Sequence, residues 1–398
     1  MEKTTRQRLL VFSMTRAENG VLIIIVVAQF LCTSLWFAGN GVLHQLIPLL
    51  NISVENLGWM TSAVQFGFIV GTLCYAFLTI ADRLDSSSVF LISAFLGAAA
   101  NIFITLQSNY GGILLFRFLT GFFLAGIYPV GMKIASDHFE KGLGKAMSFL
   151  VGALVIGTAL PHLIASLNRT FDWKTVIYVT SILAAIGGLL MKLFVGKGPY
   201  KKRGEQPKIG AMGMAFKNKS FREAAFGYFG HMWELYAFWA FVPIMLKSVD
   251  HLPWDAQYIS FQSFLIIGMG SLACFIGGFL SDSFGTRRIA TLFLFASGVC
   301  CLISPFAFAL NENLFYVFMI FWGLVVIADS PLFSTLVTKN VRPEIKGSAL
   351  TLVTSIGFAV TIVSIELLGY LAQFVEQKYT YLSLAIGPFF GLLALKKP

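Results

Sequence analysis

Runs of about 20 predominantly apolar residues follow one another along nearly the whole chain, parted only by short polar breaks. A helix of that length crosses the roughly 30 Å hydrocarbon core of a bilayer, where no water satisfies backbone N–H and C=O groups. Such a chain must pair its main chain within each span, as helices, or between the strands of a closed barrel. Barrel strands alternate apolar and polar residues over about ten positions, whereas these runs are apolar all round and carry glycine. The expected fold is therefore an all-α integral membrane protein. Its twelve transmembrane helices are read at 21–50, 57–80, 88–107, 112–135, 145–167, 174–195, 223–247, 257–281, 288–310, 314–338, 347–374 and 379–396. Only 12% of the residues are charged, against roughly 25% in soluble domains, so water is not the main solvent.

The net charge of +10 invites a nucleic-acid reading, but the placement of the 29 Lys and Arg residues decides against it. With the spans placed, 24 of them fall on one side of the bilayer, among them Lys3, Arg6, Arg8 and the basic stretch from Lys192 to Arg222. The other side receives Arg169, Lys174, Lys247 and Lys378, while Arg117 lies inside a span. The positive-inside rule makes the basic side cytoplasmic and puts both termini there, in a plasma (inner) membrane. The basic loops then meet anionic lipid headgroups, and no nucleic-acid partner is expected. Cys32, Cys74, Cys274, Cys300 and Cys301 all lie within spans without metal-ligand spacing and read as small core residues. The first apolar run is too long for a cleavable signal peptide. Asn51-Ile52-Ser53 and Asn168-Arg169-Thr170 have the form of glycosylation triplets on the outer side.

From Gly196 to Ser220 the apolar pattern gives way to Lys, Gly and Pro, which divides the spans six and six. The expected organisation is a six-helix bundle over 1–195, a basic cytoplasmic linker over 196–222 and a second six-helix bundle over 223–398. Two traces of duplication support pseudo-symmetric halves. Asp82 closing the second span matches Asp282 closing the eighth, an offset of 200. Gly121 and Pro129 on the fourth span match Gly323 and Pro331 on the tenth, and Lys145-Ala146 matches Gly347-Ser348, all at an offset of 202.

The stretch GFLSDSFGTRR resembles the loop signature of the major facilitator superfamily, roughly G-x-L-a-D-R-x-G-R-R. Gly278, Leu280, Asp282, Gly285, Arg287 and Arg288 occupy its places in the second half. In the first half Asp82 and Arg83 remain, but Leu78 and Asp85 stand for the glycines and Ser86 and Ser87 for the basic pair. The sequence Arg117 to Gly121 fits a second pattern of that family, Arg followed four residues later by Gly. The resemblance implies the same two-bundle fold, a cytoplasmic gate at the loop signature, and a central cavity lined by spans 1, 4, 7 and 10 with span 11 beside it. An Asp at a helix end accepts N–H bonds and the arginines pair with acids, which is how such a gate would hold; a topology-setting turn is the plainer alternative.

Ionisable groups at membrane depth cost several kcal/mol, about 2.5–3.5 on insertion scales, and persist mainly where they pair or line a cavity. Glu234 and His231 are three residues apart on one helical face within GYFGHMWELYAFWAF, where an imidazole beside a carboxylate can relay a proton. A structural pair joining neighbouring helices fits the same spacing. Tyr228, Trp233, Tyr236 and Trp239 nearby can stack on a solute or simply pack. Gln29, Thr33, Trp36, Asn40 and His44 form a polar stripe on the first span, to face solute or to hydrogen-bond between helices. Arg117 can anchor an anion, pair structurally, or snorkel outward. Asp329, ahead of Ser330-Pro331, and Glu366 are the remaining buried acids; the proline frees carbonyls that make a capping role for Asp329 equally natural.

No phosphate-cradling glycine loop, His-Glu-x-x-His or nucleophile elbow is present, so neither an enzyme nor a cofactor or metal is expected. The expected function is secondary active transport of a small solute by alternating access, proton-coupled and favouring a small organic anion. Trp36, Asn40, Arg117, Tyr128, His231, Tyr236 and Trp239 are the expected solute contacts, and Glu234, Asp329 and Glu366 the expected proton carriers. An exporter of amphipathic drugs or metabolites, and a non-transporting receptor of the same fold, are the competing readings. A channel is disfavoured because no ring-like filter sequence appears.

Overall fold

The structure is a computed structural model that describes residues 16–50, 52, 58–139, 143–167, 172–200, 215–249, 255–342 and 345–396, with backbone alone at 16–18, His44 and Asp82. Most of the linker (201–214) and the glycosylation triplets, apart from Ile52, lie outside these residues.

Among the described residues the helices group into twelve segments. The first six are α1 (Arg16–Thr33, continued by Ala38–Gly41 and Leu43–Leu50), α2 (Trp59–Phe77), α3 (Ser86–Phe103), α4 (Tyr110–Leu124 and Tyr128–His138), α5 (Leu143–Ser166) and α6 (Lys174–Phe194). The second six are α7 (Lys219–Lys247), α8 (Ala256–Gly268 and Gly270–Phe284), α9 (Thr286–Ala307), α10 (Glu312–Ala328 and Ser330–Lys339), α11 (Lys346–Leu371) and α12 (Gln377–Thr380, Tyr381–Ala385 and Ile386–Leu395). Ten of these spans are long and apolar enough to cross a membrane, and the apolar stretch Asn19–Thr33 of α1 is shorter. The remaining helix, α7, is 29 residues long but more polar, and it is buried along most of its length at the centre of the second half. The outward surface is apolar, with Phe279 75% and Phe306 76% exposed, as suits lipid rather than water.

Sequence dictates where the helices begin. Asp85, Asn109, Asn218, Asp255 and Asn311 precede α3, α4, α7, α8 and α10, and each carboxyl or amide oxygen accepts a first-turn backbone N–H. Asn109 and Asn311 are a further pair at the offset of 202. Proline explains the breaks in α4 and α10, where Pro129 and Pro331 open the second segments.

Packing within the two halves follows one plan. The pairs α2/α4, α3/α6, α1/α6, α1/α5 and α3/α4 in the first half correspond to α8/α10, α9/α12, α7/α12, α7/α11 and α9/α10 in the second. The halves meet through α5 against α8 and α2 against α11. The Gly121/Gly323 repeat has its physical reason here. A Cβ on Gly121 would lie 2.0 Å from the Val64 carbonyl oxygen, and one on Gly323 would lie 2.2 Å from that of Ile266. Val64 and Ile266 are themselves 202 residues apart, so one backbone-to-backbone crossing occurs twice and only glycine admits it.

Candidate functional site

α1 is interrupted midway. The Thr33 and Ser34 hydroxyls donate back to the carbonyls of Gln29 and Leu31, and the chain turns through Leu35 to Phe37 before helix resumes at Ala38. The turn presents Trp36 and Phe37 to the seam between the halves. Trp36, fully buried, packs against Phe68 of α2 at a centroid distance of 4.7 Å and Tyr128 of α4 at 6.5 Å. Across the seam it meets Tyr236 of α7 at 5.9 Å and Phe358 of α11 at 5.6 Å, the latter with planes within 24°. Phe37 meets Tyr236 and stands edge-on to Trp239. The Trp36 Nε1 donates to Gln65 Oε1 at 3.3 Å, while Gln65 Nε2 and Trp239 Nε1 are buried without a partner.

Arg117 of α4 holds the turn. Its Nη1 donates to the Leu35 carbonyl at 3.0 Å and its Nη2 to the Trp36 carbonyl, leaving only Nε without a partner. Gly39 makes the approach possible, because a Cβ there would lie 3.1 Å from the Arg117 Nε. A guanidinium fork beside carbonyls freed at a helix end is favourable electrostatically. Two of the three guanidinium nitrogens expected to greet an anion are thus engaged by main chain.

The rest of the α1 stripe also faces helices. Asn40 Nδ2 donates to Thr61 Oγ1 of α2 at 2.7 Å, Thr33 reaches the Ala153 carbonyl of α5, and Gln29 lies against Gly131 of α4. The His44 side chain lies outside the described residues.

The buried acids separate. The pairing expected between His231 and Glu234 is not formed, because a three-residue step leaves room for different neighbours. His231 Nδ1 lies 2.8 Å from Asp329 Oδ1, with both side chains 1% exposed. His231 Nε2 and Asp329 Oδ2 have no partner. Asp329 therefore sits at the α10 break without capping it, its carboxylate aimed at α7. Glu234 accepts from Trp322 Nε1 at 2.7 Å and Ser297 Oγ at 2.8 Å, wholly within the second half. Glu366 of α11 accepts from Ser62 Oγ of α2 at 2.5 Å, a hydrogen bond between the halves at the end of the bundle away from the termini.

At the end that carries the termini, Arg287 binds Glu223 of α7 at 2.5 Å and the Leu395 carbonyl of α12 at 2.7 Å, tying three helices of one half. Asp282 and Arg288 are exposed, and Gly278 faces Ser148 of α5 across the seam. Gly285 takes φ +91°, which explains the signature glycine. The first-half loop is built differently. The left-handed residue is Thr79, the Asp82 side chain lies outside the described residues, and Arg83 is exposed. Asp85 accepts from Ser87, Ser88 and Lys192 Nζ, the last at 2.9 Å from the end of α6. Acid and base are exchanged relative to the second half, where Arg287 occupies the position 202 residues beyond Asp85.

Partial burial raises the Asp85 carboxyl, but Lys192 and the two serines outweigh it and hold the group well below the usual carboxylate range. Its contribution is therefore present above the ordinary pKa of about 4 and is lost as pH falls below that. Asp85→Asn keeps a cap but loses the ion pair, and lowers stability by about 1 kcal/mol or less, since the pair is partly exposed. Thermal melting in detergent checks this. The difference from wild type shrinks in acid, and a difference independent of pH would contradict the ion-pair account.

Gln65, Phe68, Ser62, Ser297, Trp322, Phe358, Lys192 and Glu223 join these contacts without having been expected. Gln65 was open to detection as a lone amide in an apolar span; Lys192 and Glu223 are terminal charges whose partners only folding reveals.

Two six-helix sets packed alike about a seam with an aromatic centre define a membrane transporter fold. The chain belongs to the Major Facilitator Superfamily, whose sequence signature matches residues 24–365. It is similar to an uncharacterized protein of Campylobacter jejuni, 26% identical over 316 residues that cover 77% of this chain and 95% of that one. Among solved structures it resembles a bacterial homologue of the human lysosomal transporter Spinster, inward-facing and unoccupied, with TM-score 0.76, 13% identity and coverage of 96% and 98%. A D-xylose-proton symporter is similar to the same degree, with TM-score 0.76, 13% identity and coverage of 94% and 95%.

Proposed function

We propose that this chain is a secondary active transporter that carries a small organic solute through the seam between its halves by alternating access, driven by protons. The observation that carries this reading is the aromatic cluster around Trp36. It joins α1, α2 and α4 to α7 and α11, so rocking of one half against the other must open it. The coupling site is the His231–Asp329 pair, whose free Oδ2 and Nε2 can take and release a proton; His231 lies on α7, the helix that carries Tyr236 and Trp239 of the cluster. Glu234 is a structural acceptor in this reading, and Glu366 a latch. The halves are the units 1–195 and 223–398, with the termini on the cytoplasmic side of a plasma (inner) membrane. Because Arg117 is engaged by main chain, the case for an organic anion loses its main residue.

Flux into proteoliposomes tests the proposal. A panel of labelled organic solutes is offered with a pH gradient imposed and then collapsed by a protonophore. Accumulation that needs the gradient is expected for one class, and uptake of no solute above protein-free vesicles would overturn it. The latch gives a separate prediction. A hydrogen bond contributes about 0.5–1.5 kcal/mol, so Ser62→Ala shifts the population toward the state open at that end by roughly two- to tenfold. An impermeant maleimide should label a cysteine at Met60 correspondingly faster in the Ser62→Ala background; equal rates would contradict the latch.

A further inference from the structure

The chemistry of the seam constrains the solute itself. Trp36 of the first half and Phe358 of the second lie nearly parallel, with centroids 5.6 Å apart, and Tyr236 is inclined only 31° to the same indole. Inserting a flat ring between two others needs a centroid separation of about 7 Å, two layers of roughly 3.5 Å each. The seam supplies that as the halves rock apart by up to about one ring thickness, roughly 3.5 Å.

The same seam holds unsatisfied donors, two of them uncharged. Gln65 Nε2 and Trp239 Nε1 are fully buried without a hydrogen-bond partner, one on each half. Gln65 touches Trp36 through its other amide atom, and Trp239 stands against Tyr236 and Phe37. Buried N–H groups without acceptors are costly unless a ligand supplies the acceptors. The buried charges nearby already have protein partners, although Arg117 Nε, His231 Nε2 and Asp329 Oδ2 are left without one. Arg117 holds two carbonyls, Glu234 has Trp322 and Ser297, and Asp329 faces His231. A charged solute would be desolvated and would have to compete with those protein partners for its counter-charge.

We infer that the solute is a flat, uncharged aromatic ring bearing a hydrogen-bond acceptor, of the aromatic carboxamide class, which enters between Trp36 and Phe358 and accepts from Gln65 and Trp239. This rests on the reading that solute passes through the seam. Proton coupling then moves charge through His231–Asp329 while the solute stays neutral.

The test uses three probes of one shape and different charge: benzamide, benzoate and benzamidine. Tryptophan fluorescence of the full chain in detergent reads binding, and exchange in proteoliposomes reads transport. Benzamide should quench and exchange with an apparent affinity at least tenfold better than benzoate or benzamidine. Gln65→Leu, which removes the donor together with the acceptor of the Trp36 indole, should narrow that preference, and Trp36→Phe should keep stacking with weakened affinity. Preference for benzoate or benzamidine, or equal affinity for all three, would overturn the inference. So would failure of all three while the wider panel finds another solute that moves, which leaves the transport reading intact. If no solute of any class moves, the transport reading itself falls.

Discussion

Asp329→Asn leaves solute exchange intact but abolishes accumulation driven by a pH gradient. A gradient of one pH unit stores about 1.4 kcal/mol per proton, so a carrier moving one proton per solute reaches up to about tenfold accumulation. Asparagine keeps the shape and a contact to His231 but cannot take a proton, so the ratio falls to about one. His231→Gln should give the same uncoupling, because Asp329 faces His231 across 2.8 Å with both side chains buried. Glu234→Gln should remain coupled, since Glu234 answers to Trp322 and Ser297 inside one half. Initial accumulation and equilibrium exchange, measured in the same vesicles, separate these outcomes. An Asp329→Asn carrier that still accumulates would move coupling elsewhere.

Arg117→Met has the larger structural effect. It leaves the Trp36 carbonyl buried without a donor, at about 1–3 kcal/mol, and the Leu35 carbonyl with only the long bond from the Ala38 N–H, so a loss of roughly 1–4 kcal/mol is expected. The same change frees the turn that aims Trp36 across the seam, so flux should fall with stability. Arg117→Lys should recover part of both, because an ammonium keeps the charge but lacks the planar fork that serves two carbonyls at once. Melting temperature in detergent together with exchange rate checks this. A methionine variant as stable and active as wild type would contradict the assignment, and one that lost only anion transport would return Arg117 to the role of anion anchor.

The legible parts of this fold are those set by local physics. Span positions followed from apolar length, since a bilayer leaves a backbone few alternatives. The Gly121/Gly323 repeat was visible because a crossing of two main chains tolerates no side chain at that point. Pro129 and Pro331 marked the breaks in α4 and α10, but the break in α1 has no proline and is held by Arg117, a partner about eighty residues away. His231 and Glu234 share a helical face by spacing, yet which neighbour each meets depends on how α9 and α10 pack, and sequence spacing is silent on that. Letter by letter the first-half loop departs from the signature, because its charge pair is assembled from residues far apart in sequence. Lys192 at the far end of α6 supplies the charge that Asp85 needs.

The most direct test of the account is equilibrium exchange, in proteoliposomes without any gradient, of whichever solute the panel identifies, comparing wild type with Trp36→Ala and Asp329→Asn. Exchange needs the solute site and the rocking of the halves but no proton. The account predicts that Asp329→Asn exchanges at near the wild-type rate and Trp36→Ala does not exchange; a Trp36→Ala protein exchanging as fast as wild type would contradict it.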